Sequence, residues 1–142
     1  PIRMLTFAEY NFIRAEAALR FASPGSAQTF FEAGIRASME SAGVAAADIT
    51  TYLAANGTLS GSAAQQLEQI INEKYVANYG VVMEPWTDFR RTGYPALTLP
   101  SNAIVPYFPR SLFYPQSELD LNPENVTQKK DMSVRVFWDK RP

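Results

Sequence analysis

Apolar residues recur at intervals of three and four through most of the first 91 positions, which is the spacing of one face of an α-helix. The first such row contains Leu5, Ala8, Phe12, Ala15 and Leu19. Thr6, followed three residues later by Glu9, fits a capping box at the start of this row. Glycine and proline interrupt the pattern between rows and mark the turns. The pattern predicts helices at residues 5–21, 26–42, 46–55, 63–78 and 84–91.

Small residues lie where the first two predicted helices would touch. Ala15 lies on the first helix, and Ala27 and Gly34 lie on the second, with Phe31 between them. This arrangement resembles a tetratricopeptide-type helix pair. Because a stable array of such pairs needs about three repeats, we expect the hairpin to pack against further helices.

The amino-acid composition of the chain changes after Gly93. Prolines recur at short intervals and forbid long helices. The aromatic content of the same stretch predicts an ordered loop over the helical body, and residues 132–138 fit a short strand or an extended docking segment. We therefore predict one domain over residues 1–142. Its fold is expected to be mainly α, with a tetratricopeptide-like helix hairpin, further helices and a long Pro- and aromatic-rich irregular C-terminal segment.

Composition narrows the possible functions. The chain has no Cys and no His, which excludes thiolate chemistry, disulfides and the Ser-His-Asp triad and removes the commonest metal ligand. A net charge of -1 does not favour nucleic acid. No stretch approaches the roughly 20 apolar residues of a membrane helix. The first residue is Pro rather than Met, so the chain is either cut from something longer or a processed product, and we favour the first.

The densest candidate site is residues 84–95. Trp86 and Tyr94 could stack on the apolar face of a sugar ring, while Asp88 and arginines such as Arg91 hydrogen-bond its hydroxyls or pair with a carboxylate. The alternative is structural. Trp86 and Phe89 would then enter the core, and an acidic residue would pair with an arginine to fix the loop.

The acidic residues suggest two further functions, glycoside hydrolysis and calcium binding, and we favour neither. Glycoside hydrolysis needs two facing carboxyl groups, whereas Glu84 and Asp88 lie on one helical face and Glu118 and Asp120 lie in a predicted loop. The alternating oxygens of Glu118, Asp120 and Asn122 lack the glycine and the later bidentate Glu of a calcium loop. We predict no metal, no cofactor and no catalytic residue.

Several segments, taken in order, resemble the C-terminal part of the SusD/RagB-like nutrient-binding outer-membrane lipoproteins. Each is weak alone, but their order and spacing together are specific, and they cover nearly the whole chain. The segments are residues 5–17, 68–75 and 84–95, Arg110 with residues 114–118 and 122–125, and the closing residues 136–140.

The resemblance implies a non-catalytic C-terminal fragment of a larger protein of Bacteroidetes-type bacteria. Such proteins are surface-exposed lipoproteins of the outer membrane that bind an oligosaccharide or peptide and pass it to a SusC-like TonB-dependent transporter. Their lipid anchor would lie upstream of this chain. The more individual stretch at residues 96–110 then makes Tyr107 and Phe108 candidate ligand contacts, beside Trp86, Arg91 and Tyr94. The alternative is a helical protein–protein interaction module without a nutrient ligand.

Overall fold

The computed structural model describes residues 4–81 and 83–140, and these residues contain α-helices and no strand. The predicted mainly α fold is confirmed, and helix boundaries agree with the sequence pattern to within two residues for the five long helices. The helices are α1 (Phe7–Phe21), α2 (Ala27–Ser41), α3 (Ala46–Asn56), α4 (Ala63–Ala77), α5 (Met83–Thr92) and α6 (Gln116–Leu121).

The α1–α2 hairpin is defined by its caps and its turn. The Thr6 hydroxyl accepts a hydrogen bond from the Glu9 amide at 3.0 Å, which is one half of the predicted capping box, while the Glu9 carboxylate contacts Lys74 and Asn78. Ser26 caps α2 in the same way by accepting from the Thr29 amide at 3.3 Å. Each cap satisfies one amide that the helix leaves free at its start. Between the helices, Ala22 and Gly25 adopt positive φ angles of 50° and 108°, which reverse the chain.

The core of the first compact unit lies where α1, α2 and α4 meet. Phe12 and Phe31 are each 1% exposed, and their rings pack edge to face with centroids 6.2 Å apart. Gly34 lies directly against Phe12, because a Cβ at that position would be 2.9 Å from the ring. Ile70 of α4 completes the contact at 0% exposure. The predicted close approach of the first two helices is therefore present.

The chain divides between residues 89 and 90 into two compact units. The described part of the second unit is irregular apart from α6 and the last residues of α5, as predicted for the Pro-rich segment. Two details differ from prediction. Of the two alternatives predicted for residues 132–138, the strand is absent, and Glu118 and Asp120 lie on α6 rather than in a loop.

Candidate functional site

The predicted ligand contacts are all half-buried and are distributed over both units. Trp86 lies on the part of α5 that belongs to the first unit. Arg91, Tyr94, Tyr107 and Phe108 lie in the second unit, Arg91 in the last turn of α5. Trp86 and Arg91 are five positions apart on one helix, so they point roughly 140° apart around its axis. These two side chains therefore do not share a helical face.

Tyr94 lies at the exit from α5. Its amide donates a hydrogen bond to the Thr92 hydroxyl at 3.1 Å, and the peptide bond that it makes with Pro95 is cis. Gly93 has a φ of 91°, a conformation that side chains disfavour. The hydrogen bond to Thr92 and the backbone conformation of Gly93 fix the direction in which the chain leaves the helix and enters the aromatic segment.

Residues 96–109 form an uncharged surface segment that precedes Arg110. Leu97, Leu99 and Ile104 are 40%, 37% and 100% exposed, while Tyr107 and Phe108 are half-buried. Exposed apolar side chains without neighbouring charges are typical of contact surfaces.

A buried ion pair holds the chain directly after this segment. The Arg110 guanidinium donates two hydrogen bonds to the Asp139 carboxylate, one of them from Nε to Oδ2 at 2.6 Å. The Asp139 side chain is 0% exposed. The backbone amides of Arg110 and Ser111 both donate to the Met132 carbonyl, at 2.8 and 3.2 Å. Paired donors of this kind fix orientation as well as position.

Arg90 also supports the chain at Arg110. Its Nη1 donates to the Arg110 carbonyl at 3.0 Å, and its guanidinium lies 4.6 Å from the centre of the Trp138 ring. Burial lowers the pKa of Arg90 from its ordinary value, the Asp139 carboxylate opposes that shift, and the Arg110 guanidinium adds to it. The segment with Tyr107 and Phe108 therefore ends on a rigid frame of two arginines.

The first unit holds a buried charged cluster that the sequence pattern did not reveal. Lys74 is 4% exposed, and its ammonium group lies 2.8 Å from Asp88 and 3.7 Å from Glu9. The Asn78 side-chain amide donates to Glu9 at 3.2 Å. Phe89 is 9% exposed, and Asp88 has a lysine among its partners, whereas the structural interpretation of residues 84–95 named an arginine. One feature of the sequence could have revealed this cluster: Lys74 follows Ile70 and Ile71 by four and three positions, so it lies on the same helical face as they do.

Three of the four acidic residues considered for catalysis make side-chain contacts within the fold. Asp88 pairs with Lys74, Glu118 accepts from the Asn122 amide at 2.9 Å, and Asp120 accepts from the Gln116 amide at 2.8 Å. In the part of the chain that the structure describes, no group of three or more His, Cys, Asp or Glu side chains is placed to hold a metal ion. Nor is any described helix long and apolar enough to cross a membrane.

Several proteins of known structure are similar to this chain in fold and in sequence. A SusD-like protein of Bacteroidetes superposes with a TM-score of 0.83 at 28% identity over 96% of this chain, which corresponds to 30% of that protein. A SusD homologue from Bacteroides uniformis gives 0.78 at 31% identity, covering 94% of this chain and 36% of its own length. A chitin-binding SusD homologue from Flavobacterium johnsoniae gives 0.77 at 28% identity, covering 93% and 35%.

The chain thus spans about a third of the length of these structures. No curated protein sequence matches it. The family model described as SusD-like, starch-binding and associating with the outer membrane matches residues 1–115. With this match over most of its length, the chain belongs to the SusD-like family.

Proposed function

We propose that this chain is the C-terminal part of a larger SusD-like protein that binds a glycan or peptide at the bacterial surface without chemically changing it. The observation that carries the proposal is the family match over residues 1–115. The chitin-binding homologue from Flavobacterium johnsoniae, which is 28% identical, supports a saccharide ligand.

The uncharged segment at residues 96–109 supports a ligand of this kind. Saccharide rings have apolar faces that stack on aromatic side chains, and Tyr107 and Phe108 supply such rings next to exposed apolar residues. A binding site works best when a rigid shell holds its contact residues. Arg110 lies two positions beyond Phe108 in the chain, and its ion pair with the buried Asp139 provides that support.

The transporter and the location form part of the same proposal. A SusC-like TonB-dependent transporter would receive the ligand, and the complete protein would be a surface lipoprotein anchored through a segment upstream of these residues. Outer-membrane association in the family description supports this location.

The test of the site uses single substitutions in the complete protein with a ligand from a glycan and peptide panel. Tyr107→Ala and Phe108→Ala should each weaken binding by about tenfold or more, or roughly 1.4 kcal/mol. Phe137→Ala is the matched control, since Phe137 is an aromatic residue of the same unit that is 87% exposed. It should leave the affinity unchanged.

Unchanged affinity for both Tyr107→Ala and Phe108→Ala would remove these residues from the site. A protein that captures a polypeptide partner but binds neither glycans nor nutrient peptides would favour the interaction-module alternative instead.

A further inference from the structure

Helix α3 ends at an Asn–Gly pair, the dipeptide in which an asparagine side chain loses ammonia most readily. Asn56 is the last residue of the helix and is exposed, and Gly57 follows it directly. Glycine has no Cβ to shield its backbone nitrogen, so this nitrogen can attack the side-chain carbon of the preceding asparagine. None of the other asparagines in the 142 residues is followed by Gly. The chemistry therefore singles out Asn56.

The packing at the end of α3 requires glycine at position 57. A Cβ on Gly57 would lie 2.5 Å from the Leu53 carbonyl oxygen, so the backbone would have to shift to accept it. The Gly57 amide donates a hydrogen bond to the same oxygen at 2.8 Å and closes the last turn of the helix. A larger residue after Asn56 would slow the loss of ammonia, but it would clash with the helix.

The folded structure holds the reactive nitrogen away from the Asn56 side chain. The Gly57 N–H is engaged by Leu53, and ring closure needs a ψ angle at Asn56 far from the helical value of about −42°. Gln28 of α2 also holds this turn, because its Nε2 donates to the Gly57 carbonyl at 2.6 Å and its Oε1 accepts from the Leu59 amide at 2.8 Å. Reaction at Asn56 therefore requires a local opening at the end of α3.

We propose that Asn56 is a site of spontaneous deamidation, and that the two hydrogen bonds of Gln28 to the α3–α4 turn control its rate. The Gly57 nitrogen forms a bond to Asn56 Cγ, the Cγ–Nδ2 bond breaks, and the side-chain nitrogen leaves as ammonia with the proton of the Gly57 amide. Water then opens the cyclic imide at one of its two carbonyl groups and gives aspartate or isoaspartate. The reaction needs only solvent water, and it goes beyond the proposed function.

The modification weakens the end of the helix. The Asn56 side-chain amide donates to the Tyr52 carbonyl at 3.3 Å. An ionised carboxylate cannot donate, and it places negative charge at the negative end of the helix dipole. Isoaspartate in addition inserts one main-chain methylene directly before Gly57, and so displaces the carbonyl group that Gln28 holds. The product is a first unit in which α3 and its turn are held less firmly.

Peptide mapping by mass spectrometry tests the proposal on the complete protein, kept at mildly alkaline pH either folded or in guanidinium chloride. Asn56 should deamidate about tenfold or more faster in the denaturant than in the folded protein, because the folded form must first open. Gln28→Ala removes both hydrogen bonds to the turn and should raise the folded rate several-fold. Gln66→Ala is the matched control, since Gln66 donates to the Gly61 carbonyl of the same turn at 3.0 Å, and it should keep the wild-type rate.

Absence of deamidation at Asn56 in the denaturant would overturn the assignment of the site. Equal rates in the folded and denatured protein would overturn the protection by the fold, and a wild-type rate in Gln28→Ala would overturn the role of Gln28. If Gln28→Ala does not fold, the wild type is followed at guanidinium concentrations below its unfolding transition. A rate that rises there supports local opening, and a rate that stays constant until global unfolding contradicts it.

The effect on stability is measured by comparing Asn56→Asp with Asn56→Ala, which both lose the side-chain donor but differ in charge. The thermal midpoint of Asn56→Asp should be lower by about 1–3 °C, because only the carboxylate opposes the helix dipole. An equal or higher midpoint for Asn56→Asp would overturn the destabilising effect of the charge. Neither experiment uses a nutrient, so their outcomes are distinguishable from success or failure of the proposed ligand binding.

Discussion

Replacing Lys74 by Met removes the positive charge that Lys74 brings to Glu9 and Asp88 while keeping a long apolar side chain. All three side chains are at most 6% exposed, so water does not replace the lost ammonium group. At an effective dielectric constant of about 20, the ammonium attracts Asp88 by roughly 6 kcal/mol and Glu9 by roughly 4 to 5 kcal/mol. Desolvation offsets much of this attraction. Removing one partner of a buried pair typically costs about 3–5 kcal/mol, and we expect Lys74→Met to lose that much stability.

Urea unfolding followed by circular dichroism measures this loss, with Lys140→Met as the control because Lys140 is exposed. The control should stay within about 0.5 kcal/mol of the wild type. A loss below about 1 kcal/mol would refute the view that the charges, rather than the packing of the lysine stem, stabilise this cluster.

Two further substitutions test the packing and electrostatics of the first unit. Gly34→Ala should destabilise the protein. A methyl group 2.9 Å from the buried Phe12 ring costs about 1–3 kcal/mol through overpacking, which exceeds the roughly 1 kcal/mol that alanine gains in an open helix. A higher thermal midpoint would contradict the close contact. Glu73→Gln tests a carboxyl group whose pKa is raised by burial, against the lowering effect of the Tyr52 hydrogen bond at 2.8 Å. A carboxyl group with a raised pKa stabilises the fold fully below its unfolded-state pKa, and this contribution is lost as pH rises through its folded-state pKa. Glu73→Gln should therefore lose less stability than the wild type between acid and neutral pH. Parallel curves of thermal midpoint against pH for the two proteins would argue against the raised pKa.

The helical half of the fold could be predicted because local signals agree with each other. Thr6 and Ser26 cap helices whose apolar rows point to one core, and Gly34 allows the close approach that its position suggested. The helix α6 was missed because it has only six residues and follows Pro115, so periodicity has too little length to act on.

For residues 132–138 the sequence left open a short strand or an extended docking segment, and the strand does not form. Val134, Val136 and Trp138 alternate as in a strand, but a strand also needs a partner along its length. The recorded backbone contacts there are local or isolated, such as the bonds from Arg110 and Ser111 to the Met132 carbonyl. Pairing is a tertiary property, and alternation alone does not provide it.

The site was only partly predictable for a related reason. The aromatic segment with Tyr107 and Phe108 is visible in composition, but the frame that supports it joins Arg110 to Asp139, 29 positions away. The cluster around Lys74 likewise joins residues from α1, α4 and α5. Such long-range pairs leave one trace in a single sequence, namely a charged residue in an otherwise apolar row.

Calorimetric binding of the complete protein to a panel of glycans and peptides tests the central claim most directly. The proposed function predicts saturable binding of one ligand class, with the ligand recovered unchanged after incubation. A folded protein that binds no member of a panel covering both classes, or one that hydrolyses its ligand, would contradict it.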